Sequence, residues 1–163
     1  MLHLETTLVG HSEDRVWHAC WSPSGNHLAT SGEDRVIRVW DINSLECVST
    51  LEDGQSRTIR SCEWSPDGFM IASASFDGTI VIWEAQSSSL LRWDVVASLE
   101  GHENEVKCVA WNLSGDYLAS CGRDKRVWVW MKLVSHAMFS TMLSSHTIKC
   151  KILIVPTIGR GRI

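Results

Sequence analysis

The sequence predicts an all-β protein of repeated four-stranded units, a partial β-propeller, and three observations predict it. Tryptophan is over-used, with nine against one tyrosine and three phenylalanines in 163 residues. The run Trp21-Ser22-Pro23-Ser24-Gly25 returns as Trp64-Ser65-Pro66-Asp67-Gly68 and as Trp111-Asn112-Leu113-Ser114-Gly115, at spacings of 43 and 47 residues. A second series, Val36-Ile37-Arg38-Val39-Trp40-Asp41, Ile80-Val81-Ile82-Trp83-Glu84 and Val127-Trp128-Val129-Trp130, keeps the same two spacings. A period of about 40–47 residues, with Gly-His early and Trp-Asp late, belongs to propeller blades of four antiparallel strands each.

The elements follow in order within each unit. Residues 16–21, 59–64 and 106–111 read as first strands, each stopped by a turn of Ser, Pro and Gly type. Residues 27–31, 70–75 and 117–121, rich in small side chains, read as second strands. Asp34-Arg35, Asp77-Gly78 and Asp124-Lys125 make the tight turn into the third strand. Third strands that are apolar at successive positions, such as 127–130, are expected to be buried on both faces, as stacked blades require. Residues 47–51 and 95–99 read as outer, fourth strands, and 4–8 as the outer strand of a closing blade. The units run 1–9 (that closing strand), 10–52, 53–100, 101–143, and 144–163, an aborted fourth repeat or divergent tail.

The third unit departs from the pattern after Trp130, where Met131 stands in place of the acid. Residues 138–143 can still serve as its outer strand. Ser145-His146-Thr147 falls in register with Gly101-His102-Glu103, but the tryptophan due at position 155 is Val155. This predicts a truncated or misread product, with a genuine short isoform as the alternative.

Composition bounds the function. A net charge of -4 with interspersed signs argues against a nucleic-acid or membrane-surface partner. The N-terminus lacks the basic and apolar regions of a signal peptide, and no stretch reaches the roughly 20 apolar residues of a membrane span. A soluble, intracellular protein is expected. None of the six cysteines forms C-x-x-C, and Cys20, Cys62 and Cys108 sit in apolar strand patterns where a thiol packs as a small hydrophobe. The histidines show no paired ligand spacing, so no metal site is expected. The glycines stand singly at turns, no phosphate-binding loop is present, and no cofactor is expected.

One polar set recurs with the repeat. His11, Thr30, Asp34 and Trp40 return as His102, Ser120, Asp124 and Trp130, and Ser73, Asp77 and Trp83 fill the second unit, where Gln55 replaces the histidine. These residues resemble those of WD40 proteins, which implies a buried hydrogen-bond relay from Trp through Ser/Thr and His to Asp. A nucleophilic triad would use the same residue types, but a catalytic set occurs once and this one occurs at a fixed offset in each unit. The protein is therefore expected not to be an enzyme. Glu33, Phe76 and Arg123, each just before a turn aspartate, are the candidate partner-binding residues. Their types differ while the flanking frame repeats, and in propellers this position opens onto the narrower face around the central channel.

The resemblance narrows further on Leu99-Glu-Gly-His-Glu-Asn-Glu-Val-Lys107, Ser73-Ala-Ser-Phe-Asp-Gly78 and Arg123-Asp-Lys-Arg-Val-Trp-Val-Trp130. Over residues 4–131 these resemble the first blades of the Ciao-type WD40 family of cytosolic iron–sulfur cluster assembly. That resemblance implies about three blades of a seven-bladed propeller. It also implies a docking subunit of the targeting complex that matures cytosolic and nuclear iron–sulfur proteins. Its implied partners are a HEAT-repeat adaptor, a MIP18-like protein and an iron-only-hydrogenase-like carrier, and its implied place is cytoplasmic and nuclear. The alternative is a generic WD40 adaptor in ubiquitin ligation, chromatin or signalling.

Overall fold

Short strands separated by hairpin turns dictate a meander. The computed structural model describes residues 3–11, 13–133, 137–144 and 147–152. Within them the chain forms β1 (Val16–Trp21), β2 (His27–Gly32), β3 (Ile37–Asp41) and β4 (Glu46–Leu51), then β5 (Ile59–Trp64), β6 (Met70–Ser75), β7 (Ile80–Ala85) and β8 (Trp93–Leu99). β9 (Val106–Trp111), β10 (Tyr117–Gly122), β11 (Val127–Leu133), β12 (Ala137–Ser144) and β13 (Thr147–Ile152) complete the order. Three antiparallel sheets result, ordered β1-β2-β3-β4, β5-β6-β7-β8 and β13-β12-β11-β10-β9.

The turn after each first strand shows how the repeat works locally. The Gly25, Gly68 and Gly115 amides donate to the carbonyls of Ser22, Ser65 and Asn112 at 2.9, 2.9 and 3.1 Å. Their φ angles are 74°, 77° and 76°, in the left-handed region that glycine enters without a Cβ penalty. The next turn has positive φ at Arg35, Gly78 and Lys125, one residue after each turn aspartate.

Contacts between sheets run from β1 and β2 to β5, and from β5 and β6 to β9, so the first strands lie side by side. One core, including Ile37, Val39, Cys62, Trp64, Ile71 and Val81, joins the first sheet to the second. Another, including Ile80, Ile82, Val106, Val109, Leu118 and Trp130, joins the second to the third. The middle sheet is thus covered on both faces. β7 is apolar and buried from Ile80 to Trp83, as a doubly covered strand must be.

Close packing also explains the glycine before each relay position. A Cβ on Gly54 would strike the buried Trp83 ring, and one on Gly101 would lie 2.8 Å from the Trp128 ring. Gly54→Ala is expected to destabilise by about 1 kcal/mol or more, because the tryptophan has nowhere to move. Chemical denaturation reads this as a lower midpoint at unchanged slope.

Four expectations are corrected. Residues 4–8 form no strand, and Leu4 is 81% exposed. A strand needs a neighbouring edge to pair with, and no described sheet offers one there. Both-face burial fails for 127–130: Val127 is 54% exposed, because the third sheet is covered on one side only. Cys108 is exposed for the same reason. Residues 147–152 do not open a separate unit but add β13 to the free edge of β12, itself the outer strand beside β11. His146, Val155 and the rest of 153–163 lie outside the described residues.

Candidate protein-docking rim

The relay positions meet in each unit. The Trp40 Nε1–H donates to Thr30 Oγ1 at 2.9 Å, and Thr30 Oγ1 lies 2.7 Å from His11 Nε2. A hydroxyl that accepts from the indole has its own proton to give to Nε2, which leaves the Nδ1–H to donate to Asp34 at 3.0 Å. Arg38 adds an ion pair to Asp34. The third unit repeats the chain: Trp130 to Ser120 at 2.9 Å, Ser120 to His102 Nε2 at 2.9 Å, and His102 Nδ1 to Asp124 at 2.8 Å.

The second unit is rerouted. Trp83 donates to Ser73, and Ser73 donates to Gln55 Oε1 at 2.8 Å. The Gln55 amide then donates to the Thr79 carbonyl at 3.1 Å and to Thr79 Oγ1 at 3.3 Å, and the Thr79 hydroxyl donates to Asp77 at 2.6 Å. Glutamine lacks a second ring nitrogen to reach the aspartate, so Thr79 bridges the gap.

This frame presents a rim. In every unit the residue before the turn aspartate donates its amide to the loop that enters the first strand: Glu33 to Arg15, Phe76 to Thr58, and Arg123 to Glu105, at 2.9, 3.0 and 2.8 Å. Two residues further along, the pairing of first and second strands skips one position: Trp17 in β1, Arg60 in β5 and Lys107 in β9. Such bulges leave one residue out of the ladder and re-aim its side chain. Here they aim it across the junction at the adjoining blade, Trp17 and Lys107 at Phe76 and Arg60 at Trp17.

The rim therefore crosses all three sheets. Arg60 lies over the Trp17 ring at 5.2 Å and donates to the Trp17 carbonyl at 3.3 Å. The Trp17 and Phe76 rings are 6.5 Å apart, and Lys107 Nζ sits 3.7 Å from the Phe76 ring centroid. Arg57 donates to the Phe76 carbonyl at 2.8 Å. Arg123 is 67% exposed and pairs with Glu105 at 3.2 Å. Of the three candidate positions, Glu33 and Arg123 are exposed, whereas Phe76 is half-buried and belongs to this aromatic–cation ladder. Sequence reasoning missed Trp17, Arg60 and Lys107. Their signal was present, since each lies four residues before the first-strand tryptophan.

A different cluster lies between the first two sheets. His18, Cys20 and Cys62 bring one ligand atom each to within 4.8 Å of one another, and the two sulfurs are 3.6 Å apart. The Cys20 thiol, then the His18 ring, hold the Cys62 thiol below the ordinary cysteine value, although burial pushes it up. The same contact, followed by burial, raises Cys20. Contact with Cys62 raises the His18 imidazole against the lowering effect of burial.

Comparison with known proteins agrees with this architecture. The WD domain, G-beta repeat family matches residues 3–41, 45–84 and 93–131. A probable cytosolic Fe-S cluster assembly factor of Schizosaccharomyces pombe is 40% identical over 125 residues, 77% of this chain and 20% of the relative. A probable cytosolic iron-sulfur protein assembly protein of Caenorhabditis elegans is 38% identical over 132 residues, 76% of this chain and 38% of the relative. Its counterpart in Kluyveromyces lactis is 41% identical over 120 residues, 68% of this chain and 36% of the relative. This chain thus spans well under half the length of the curated relatives it matches. Three matched repeats, in antiparallel sheets of four, four and five strands with a polar relay in each, place the chain in the WD40 repeat family.

Proposed function

We propose that this chain acts without catalysis, as a protein-docking part of the cytosolic iron–sulfur protein assembly machinery. The observation that carries the docking role is the rim: the frame repeats from blade to blade, while the side chains displayed on it do not. Arginine beside tryptophan and phenylalanine is the composition of interface hot spots, and a fixed frame lowers the ordering cost of binding. The assignment to iron–sulfur assembly rests on the names of the relatives and on their identity across the blades. On this reading the partners are subunits of the targeting complex: a HEAT-repeat adaptor, a MIP18-like protein and an iron-only-hydrogenase-like carrier. The site of action is the cytosol, and the nucleus as well.

Arg123→Glu, placed in the whole protein, is expected to weaken partner binding by about 2 kcal/mol or more, roughly thirtyfold, while leaving the blades folded. The substitution sets a second carboxylate beside Glu105 and reverses the charge that meets the partner. Co-precipitation from cytosol reads both the affinity and the identity of what is bound. Assembly-machinery subunits lost on mutation support the proposal. Cullin or chromatin factors would point to a generic WD40 adaptor. Unchanged capture by a folded mutant would make Arg123 a loop charge only.

A further inference from the structure

We propose that His18, Cys20 and Cys62 form a binding site for a thiophilic d10 metal ion of the zinc class, clamping the first blade to the second. Side chains alternate across a strand, so His18 and Cys20, two apart on β1, share one face. That face looks onto the second sheet. On β5 the alternation runs the other way round: Cys62 and Trp64 face the first sheet, where both enter its core. One strand thus supplies a His-x-Cys pair and its neighbour a facing thiol.

The spacing suits a tetrahedral ion. With metal–sulfur bonds of about 2.3 Å, two thiolates on one zinc stand about 3.8 Å apart, and here the sulfurs are 3.6 Å apart. The histidine nitrogen lies within 4.8 Å of both sulfurs. Two thiolates and an imidazole are the donors that zinc prefers, and the fourth position falls to water. A second observation points the same way. His18 Nδ1 is buried without a nitrogen or oxygen partner, and the ring's side-chain contact is with the Cys62 thiol.

The cluster is not part of the repeating frame. Across the next junction the corresponding positions are Ser61 and Glu63 on β5 facing Val109 on β9, which offer no thiol pair. A set present at one described junction and absent from the other has a local purpose. It uses none of the rim side chains, so zinc retention and partner docking are read by separate measurements.

The test uses the 163-residue chain refolded with a non-thiol reductant, in whatever association state it adopts, because the junction is formed within one chain. One equivalent of zinc per chain is expected to be retained against a chromophoric chelator. Cobalt(II) in its place is expected to show the thiolate charge-transfer band. Cys20→Ser and Cys62→Ser should each remove that band and weaken zinc binding at least about 100-fold, whereas Cys108→Ser, at an exposed thiol, should change neither. If Cys62→Ser does not fold, Cys20→Ser carries that reading, and His18→Ala should weaken zinc binding while leaving the thiolate band. A folded wild-type chain without retained zinc or a cobalt band overturns the proposal. So does zinc held equally well by both serine variants.

Discussion

Expressed alone, the 163-residue chain is expected to elute in size exclusion well above its 18.3 kDa monomer mass. Among the described residues three sheets leave two sheet faces uncovered, and the repeat shows what those faces lack. Trp21 and Trp64 hold the same position in successive blades, yet Trp64 is 4% exposed beneath the first sheet and Trp21 is 58% exposed. Val16 on the same blade, and Leu113, Tyr117 and Val127 on the third, are exposed as well. Covering a large apolar side chain is worth about 1.5–3 kcal/mol, so these residues together favour association by several kcal/mol. Repeat proteins bury each unit against its neighbours and need polar caps at their ends, and propellers escape the requirement by closing the ring. Supplying the blades of a longer relative should convert the mixture to a cooperative monomer. A sharp monomer peak with a single cooperative melt for the chain by itself would show that three blades suffice.

Asp124→Ala is expected to cost about 1–3 kcal/mol and to exceed the cost of Asp77→Ala. Removing Asp124 orphans the His102 Nδ1–H inside the blade, because both side chains of that pair are almost wholly buried. Removing Asp77 frees the exposed Ser56 amide and the part-buried Thr79 groups, which water can serve, while Trp83, Ser73 and Gln55 keep their bonds to one another. The comparison belongs in a closed propeller, read as denaturant midpoints at unchanged slope. Equal losses would count against the relay as a stabilising device.

The Asp124 penalty should also depend on pH. Burial pushes its carboxyl up, but the His102 ring and the Arg126 and Glu103 amides outweigh burial and hold it below the ordinary carboxylate value. A carboxyl lowered on folding stabilises above its unfolded pKa of about 4, and that contribution fades as pH falls through the folded value. Wild type and mutant should therefore begin to converge near pH 4 and meet only below the lowered folded value. A gap that persists there would mean that packing rather than charge is lost.

Much of the blade was legible because the information is local. The Trp-Ser-Pro-Gly turn needs one residue with positive φ. The second and third strands are joined through Asp-Arg, Asp-Gly or Asp-Lys. Relay residues at a fixed offset need only strand register to meet. Sequence by itself therefore determined the three repeats, the order of strands within each and the partners in the polar relay of the first and third units. It could not reveal the detour through Thr79, because the failure of Gln55 to span to Asp77 is a matter of reach in three dimensions.

Which face of one sheet meets which face of the next was decided by tertiary structure alone. Period-2 alternation says that His18 and Cys20 share a face, but not that this face meets the one bearing Cys62. That pairing depends on how β5 packs beside β1. The same packing decides that Trp64 is covered while Trp21, at the same place in the preceding blade, is not. The rim shows it too: Trp17, Phe76 and Lys107 are far apart in the chain, and they adjoin because bulges in neighbouring sheets turn them toward one another. Burial and cross-blade contact are properties of a residue's neighbours, and those neighbours come from another sheet.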